Sequence, residues 1–294
     1  MITIDDVVIP DTVPALESYC LSLIEADLEA EAIPVIEKII AERRRKHLGE
    51  TATIRWMEQL AFCLRKVGRA EASAEVFQQV HDEWIKRYGP KHPALIFTQR
   101  RLAIGLADAG NFEKATVALR LAAANATEAH GGSSVAAATC YSRLLECLRK
   151  LERWSEVVEI GRAYLDNCRD SRADDWREQL ISILRSISHA YRKLGDAEQA
   201  VAFLEGAVHY GRLQWGEADT RVMRDLRWLS RCYLYKGDVS RSLELLKHVL
   251  MIHTSTHGAN HLSTLAVARE LKNRCAKVKK RLGYARRKAQ KTQR

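Results

Sequence analysis

The chain contains no alternation of apolar and polar residues long enough to make a strand, and a half-buried strand needs that period of two. A β architecture is therefore excluded. No apolar run reaches the roughly 20 residues that a bilayer-spanning helix requires, and the amino terminus is acidic and polar, unlike a secretory leader. The seven cysteines form no Cys-x-x-Cys pair and no metal-ligand spacing, which speaks against a zinc module and, at an odd number, against a disulfide framework. A phosphate-cradling glycine loop, a nucleophile elbow and a zinc-protease helix are also missing. These absences point to a protein that is not an enzyme, needs no cofactor or metal, and does not insert in a membrane. Its expected address is the cytoplasm, or the nucleus in a nucleated cell.

What is present is a period. Gly68, Gly110, Gly195 and Gly237 each open a turn, with Glu152 in the remaining slot, at steps of 42, 42, 43 and 42 residues. A fixed period in this range marks a stacked repeat array. Counted from the turn, the same slots stay apolar. Eight before it stand Leu60, Leu102, Leu144, Ile187 and Leu229; eight after it stand Val76, Ala118, Ile160, Phe203 and Leu245. Slots four and twelve residues away behave likewise, and offsets of four put side chains on one helix face. Each unit is thus helix A, a tight turn and helix B, with glycine suited to the positive φ that ends helix A.

Small residues occupy the slots seven before and five after the turn: Ala61 with Ser73, Ala103 with Ala115, Ser188 with Ala200, and Ser230 with Ser242. They allow A and B to approach closely. Leu145 and Val157 break both slots in the unit that also lacks its glycine, so that unit is expected to pack least regularly. Cys63, Cys147 and Cys232 share the slot five before the turn and read as small apolar fillers.

The pattern of Leu, small, Leu or Tyr, Gly, small resembles the tetratricopeptide repeat, most clearly at Gly110-Asn111-Phe112-Glu113-Lys114-Ala115 and Gly195-Asp196-Ala197-Glu198-Gln199-Ala200. The 42-residue period, with Gly-Pro-Lys-His-Pro at 89–93 and Gly-Ala-Asn-His-Leu at 258–262 between units, is similar to the kinesin-light-chain variant. The expected fold is all-α: a right-handed α-solenoid of about six repeats with a C-terminal capping helix. Residues 1–11 form an N-terminal segment, 12–258 the solenoid with its first turn near Asp27, 259–282 the capping helix and 283–294 a basic tail.

The resemblance implies a concave groove lined by helix A at thirteen, ten, six and three residues before each turn. Nine of those twenty slots hold arginine: Arg55, Arg65, Arg100, Arg149, Arg185, Arg192, Arg224, Arg227 and Arg231. Phe62, Phe97 and His189 stand among them. Guanidinium forks bind carboxylates bidentately, so the expected partner is an acidic or aromatic-plus-acidic protein segment. The competing reading is an ordinary charged helix face neutralised by neighbouring acids. Charge reversal at Arg185 and Arg227 is expected to abolish capture without changing the fold.

The net charge of +10 is uneven. Residues 269–294 carry twelve Lys or Arg and one acid, a net of +11, and the other 268 residues carry 35 bases and 36 acids, a net of −1. The run Lys277, Lys279, Lys280, Arg281, Arg286, Arg287 and Lys288 offers a second partner class, the phosphate backbone of nucleic acid; only Tyr284 could stack on a base there. His253, His257 and His261 are four apart, but a helix end near His257 is expected to break their alignment. Self-association through the seam of the last helix completes the set of expectations.

Overall fold

The computed structural model describes residues 12–90, 94–168 and 175–276. Residues 1–11, the end of the capping-helix segment and the basic positions Lys277, Lys279, Lys280, Arg281, Arg286, Arg287 and Lys288 lie outside the described residues. Among the described residues every regular element is helical. The helices are α1 (Val13–Glu25), α2 (Glu29–Arg45), α3 (Glu50–Lys66), α4 (Ala70–Tyr88), α5 (Ala94–Asp108), α6 (Phe112–His130), α7 (Val135–Lys150), α8 (Trp154–Asn167), α9 (Arg177–Leu194), α10 (Ala197–Trp215), α11 (Thr220–Lys236) and α12 (Val239–His257). A further helix, α13, runs over 262–276. Odd-numbered helices are the A helices of the repeat and even-numbered ones the B helices, so the chain is an all-α solenoid of helical hairpins.

The hairpin turns share one backbone demand. Asp27, Gly68, Gly110, Glu152, Gly195 and Gly237 all sit at positive φ, between 56° and 94°. Glycine adopts that region freely, whereas Asp27 and Glu152 do so against the Cβ clash that costs an L-residue roughly 1–2 kcal/mol. After three of the glycines the next side chain caps helix B. Asn111 accepts from the Lys114 amide at 3.3 Å, Asp196 from that of Gln199 at 3.0 Å and Asp238 from that of Arg241 at 3.0 Å.

At the crossing slots, small side chains bring A and B close enough for hydroxyl-to-carbonyl hydrogen bonds. Ser73 donates to the Ala61 carbonyl, Ser188 to that of Ala200, and Ser230 to that of Ser242, each at 2.7 Å. The bond each serine donates offsets the cost of burying its hydroxyl. The chain forms two compact units that divide between Leu151 and Glu152. The division falls at the turn that has Glu152 for glycine; Leu145 of α7 and Val157 of α8 are each buried.

In the unit up to Leu151, Leu16, Ile36, Ile39, Leu60, Leu64 and Val80 form one continuous core. In the unit from Glu152 on, Ile181, Ile183, Ile187, Leu204, Leu246 and Val249 are all fully buried or nearly so. Cys63, Cys147 and Cys232 are buried free thiols. Burial pushes the Cys147 thiol up to about 11, which keeps it protonated and unreactive.

Candidate functional site

In the first unit, α3 and α5 present a basic and aromatic face. Arg101 lies over Phe97 at 4.9 Å and over Phe62 at 5.9 Å, so its guanidinium bridges the two rings. Arg65 stands 5.9 Å over Phe62 and Arg100 5.7 Å over Phe97. Burial, then the like charges of Arg100 and Arg65, lower the Arg101 pKa. The cations are therefore crowded, with Glu58 opposing the shift at Arg101. Glu58 is the nearby acid; its half-burial raises its pKa, against a hydrogen bond from the Trp84 indole and the charges of Arg55 and Arg101. Arg65 reaches Asp108 at 3.3 Å. Arg100 and Arg101 make no salt bridge among the described residues. Phe97 is 41% exposed, enough for a ligand to pack on its ring.

Arg55 is exposed on the same face of α3, and Arg149 is half-buried on α7. A cleft of about 240 Å³ beside α7 is lined by Arg143, Glu146 and Lys150 rather than by Arg149.

In the second unit, a cleft of about 220 Å³ opens between α9 and α11. Arg185, His189, Arg192 and Arg231 line it, with Trp228 and Tyr235 beside them and Leu204 and Cys232 within. Arg192 lies 3.4 Å from the His189 ring nitrogen, and Arg224 stands 5.6 Å over Trp228.

Four of the predicted arginines are held by acids, which corrects the expectation that reversal at Arg185 and Arg227 is neutral for the fold. The Arg185 Nε donates to Asp225 Oδ2 at 2.8 Å, and Asp225 is fully buried. Burial pushes the Asp225 carboxyl up, with Arg185 opposing, and its Oδ1 has no hydrogen-bond partner. Glu270 of α13 accepts from Arg227 at 2.8 Å, Arg231 at 3.2 Å and Arg274 at 3.0 Å. Burial pushes Glu270 up, but Arg227 and Arg231 outweigh it and hold the carboxyl below its ordinary range. Arg65–Asp108, Arg185–Asp225 and Arg227–Glu270 span 43, 40 and 43 residues, one repeat each. These pairs clip α3 to α5, α9 to α11 and α11 to α13.

Arg101 and Trp228 escaped the slot pattern because both sit nine residues before their turns. The signal was available: nine before the turn lies four residues from the slot at thirteen, hence on the same helix face. The three histidines also behave otherwise than expected. α12 ends at His257, yet His257 lies tilted against His253 at 5.6 Å and stacks on His261 at 4.9 Å. Ser263 links the outer pair, 2.6 Å from His261 Nδ1 and 3.2 Å from His253 Nδ1. Among the described residues no group of His, Cys, Asp and Glu has the arrangement to hold a metal ion, and no helix is long and apolar enough to cross a membrane.

Residues 50–126 match the family described as the tetratricopeptide repeat. No curated protein matches the sequence. Solved structures with a similar fold include repeats from Podosopora anserina described as kinesin light chain nearly identical TPR-like repeats, at 20% identity and a TM-score of 0.59, covering 69% of this chain and 95% of that one. BtubC (BKLC) from P. vanneervenii is similar at 17% identity and a TM-score of 0.62, over 78% of this chain and 92% of its own. The apo form of the quorum sensor NprR from B. thuringiensis is similar at 12% identity and a TM-score of 0.58, over 91% and 71%. At these identities the likeness is one of fold.

Proposed function

We propose that this chain, a tetratricopeptide-repeat solenoid of the kinesin-light-chain kind, is a non-enzymatic interaction scaffold whose A-helix faces take an acidic, aromatic-bearing segment of a partner protein. The observation that carries the reading is Arg101 lodged between Phe62 and Phe97, with Arg100 beside it and no carboxylate in a salt bridge to either. Arg101, its pKa lowered by burial and then by the neighbouring charges of Arg100 and Arg65, gains from an incoming anion. The rings supply apolar area next to the charge, which suits a segment pairing Asp or Glu with an aromatic residue. The cleft of Arg192, His189, Trp228 and Tyr235 repeats the same chemistry in the second unit. Arg185, Arg227 and Arg231 serve the A-helix clips first, and Arg55, Arg149 and Arg224 are secondary.

The test is fluorescence anisotropy with a labelled peptide rich in Glu and containing one Trp, beside a Lys-rich twin. Selective binding of the acidic peptide is expected, and Arg100→Glu with Arg101→Glu weakens it at least roughly tenfold, in line with charge-assisted hydrogen bonds of about 1.5–3 kcal/mol each. Equal binding of both peptides, or an unaffected double variant, overturns the reading. If a single-stranded oligonucleotide binds instead and deletion of 283–294 removes it, the basic tail is the contact surface.

A further inference from the structure

A groove of about 660 Å³ runs on the other side of the first unit, between the B helices α4 and α6, with α5 as its floor. Its origin is legible in the repeat register. Eight residues after the turn the other hairpins carry Val76, Ile160, Phe203 and Leu245, whereas this one carries Ala118, which lines the groove. The α5 floor is set close by Gly105, where a Cβ would stand 3.3 Å from the Ala74 Cα. A missing side chain and a sunken helix together open the space.

Its two walls differ in chemistry. On α6, Val117 is 70% exposed and Leu121 50% exposed, one helical turn apart and both lining the groove beside Leu106. Aliphatic residues left in water singly are ordinary, but an adjoining pair bordering a cavity marks a binding surface. On α4, Glu71 and Glu75 are exposed, also one turn apart, and neither makes a salt bridge among the described residues. Of the polar side chains that line it, Gln99 and His81 are paired with each other, while Lys114 of α6 brings a cation to the Val117 wall. The Gln99 amide nitrogen lies 3.2 Å from His81 Nε2, and Gln99 Oε1 accepts from Asn125 at 3.2 Å. Gln99 and His81 are thus engaged, so affinity must come mainly from apolar contact with α6 and charge contact with Glu71 and Glu75 of α4.

We propose that this groove docks an amphipathic helix of another protein, with aliphatic residues against Val117, Leu121 and Leu106 and basic residues one turn apart against Glu71 and Glu75. The matching one-turn spacing of both walls is what selects a helix, since residues i and i+4 of a helical ligand repeat at the same interval. This surface lies on the B helices and takes a ligand opposite in charge to the one proposed for the arginine face, so it stands independently of the reading above.

The experiment uses the full chain with labelled Leu and Val methyl groups and two designed helical peptides. They share one leucine face; one carries Lys at flanking i, i+4 positions and its twin carries Glu. Expected are methyl shifts at Val117, Leu121 and Leu106, with the Lys peptide binding at least tenfold more tightly. Glu71→Lys with Glu75→Lys should invert that preference. Ala118→Leu, which restores the bulk found at this slot in the other hairpins, should abolish binding while the melting temperature holds. Binding that ignores the flanking charge, or survives Ala118→Leu, overturns the proposal. So does a concentration-dependent dimer lost on Val117→Asp, which would make a second copy the occupant. A change at the Val117 and Leu121 methyls on deleting 277–294 would likewise overturn it in favour of the chain's own basic segment.

Discussion

Removing the Arg185 guanidinium tests the A-helix clips most directly. Asp225 is fully buried, its Oδ2 takes both donors from Arg185, and its Oδ1 has no partner. Arg185→Ala therefore leaves a buried carboxylate without the guanidinium that bonds it, with only the charge of Arg224 still acting on it. Breaking a buried pair in this one-sided way costs roughly 3–5 kcal/mol. Replacing both partners differs, because Arg185→Ala with Asp225→Asn removes the charge and the demand together, and it should recover about half of the loss or more. The assay is urea unfolding followed by circular dichroism at 222 nm, comparing midpoints within the four-variant cycle. Acidity supplies a second readout. Burial already holds the Asp225 carboxyl above its ordinary 3.8, and without Arg185 it rises further. The folded variant then takes up a proton that the unfolded chain does not, so its deficit narrows as the pH falls. A single variant within about 1 kcal/mol of the parent at neutral pH, or a deficit independent of pH, would refute the clip.

Other consequences are simpler to state. Glu152→Gly relieves a side chain held at φ 57°; relief of about 1–2 kcal/mol less the unfolded-state entropy of glycine, about 0.4–1 kcal/mol, predicts a gain near 0.5–1 kcal/mol in denaturant melts. His253 is 7% exposed, and burial, then His257, Arg227 and His261, lower its pKa from the ordinary 6.5. Its neutral form is the folded one, so stability is present above about pH 6.5 and is lost as the pH falls below it; a His253→Gln variant should show a shallower decline, read by thermal melting across that range. Cys20 and Cys140 have thiols pushed up by burial to about 12 and about 11, so thiol reagents should modify them only on unfolding, as mass spectrometry of the labelled protein would show.

Much of the fold could be read from the chain because the repeat is a local device. Gly110, Ala103 and Ala115 declare a turn and a close crossing within a dozen residues, and periodicity multiplies the signal. The ionic partners could not be read in the same way. Arg185 meets Asp225 only because α9 lies beside α11, and nothing near Arg185 in the sequence distinguishes it from Arg192, which has no such acid among the described residues. Arg101 is hidden for a different reason: it lies nine residues before its turn, as Trp228 does, on a line beside the slots at thirteen, ten, six and three. The histidines show a third limit. A helix that ends at His257 would ordinarily disperse its last side chains, but the turn at Gly258 and the hydroxyl of Ser263 bring His261 back onto the stack.

The one-repeat reach of these clips bears on how such an array can be lengthened or shortened. A cassette cut out cleanly at Gly195 and Gly237 would contain Asp225 but not Arg185, and Arg227 but not Glu270. Transplanted into a foreign array, it would arrive with a cation missing at one seam and an anion missing at the other. Duplicated in tandem within its own array, it would set Arg227 of one copy beside Asp225 of the next, forty-odd residues on, and could knit itself to itself. Growth by copying neighbours is thus open to this chain in a way that borrowing from strangers is not.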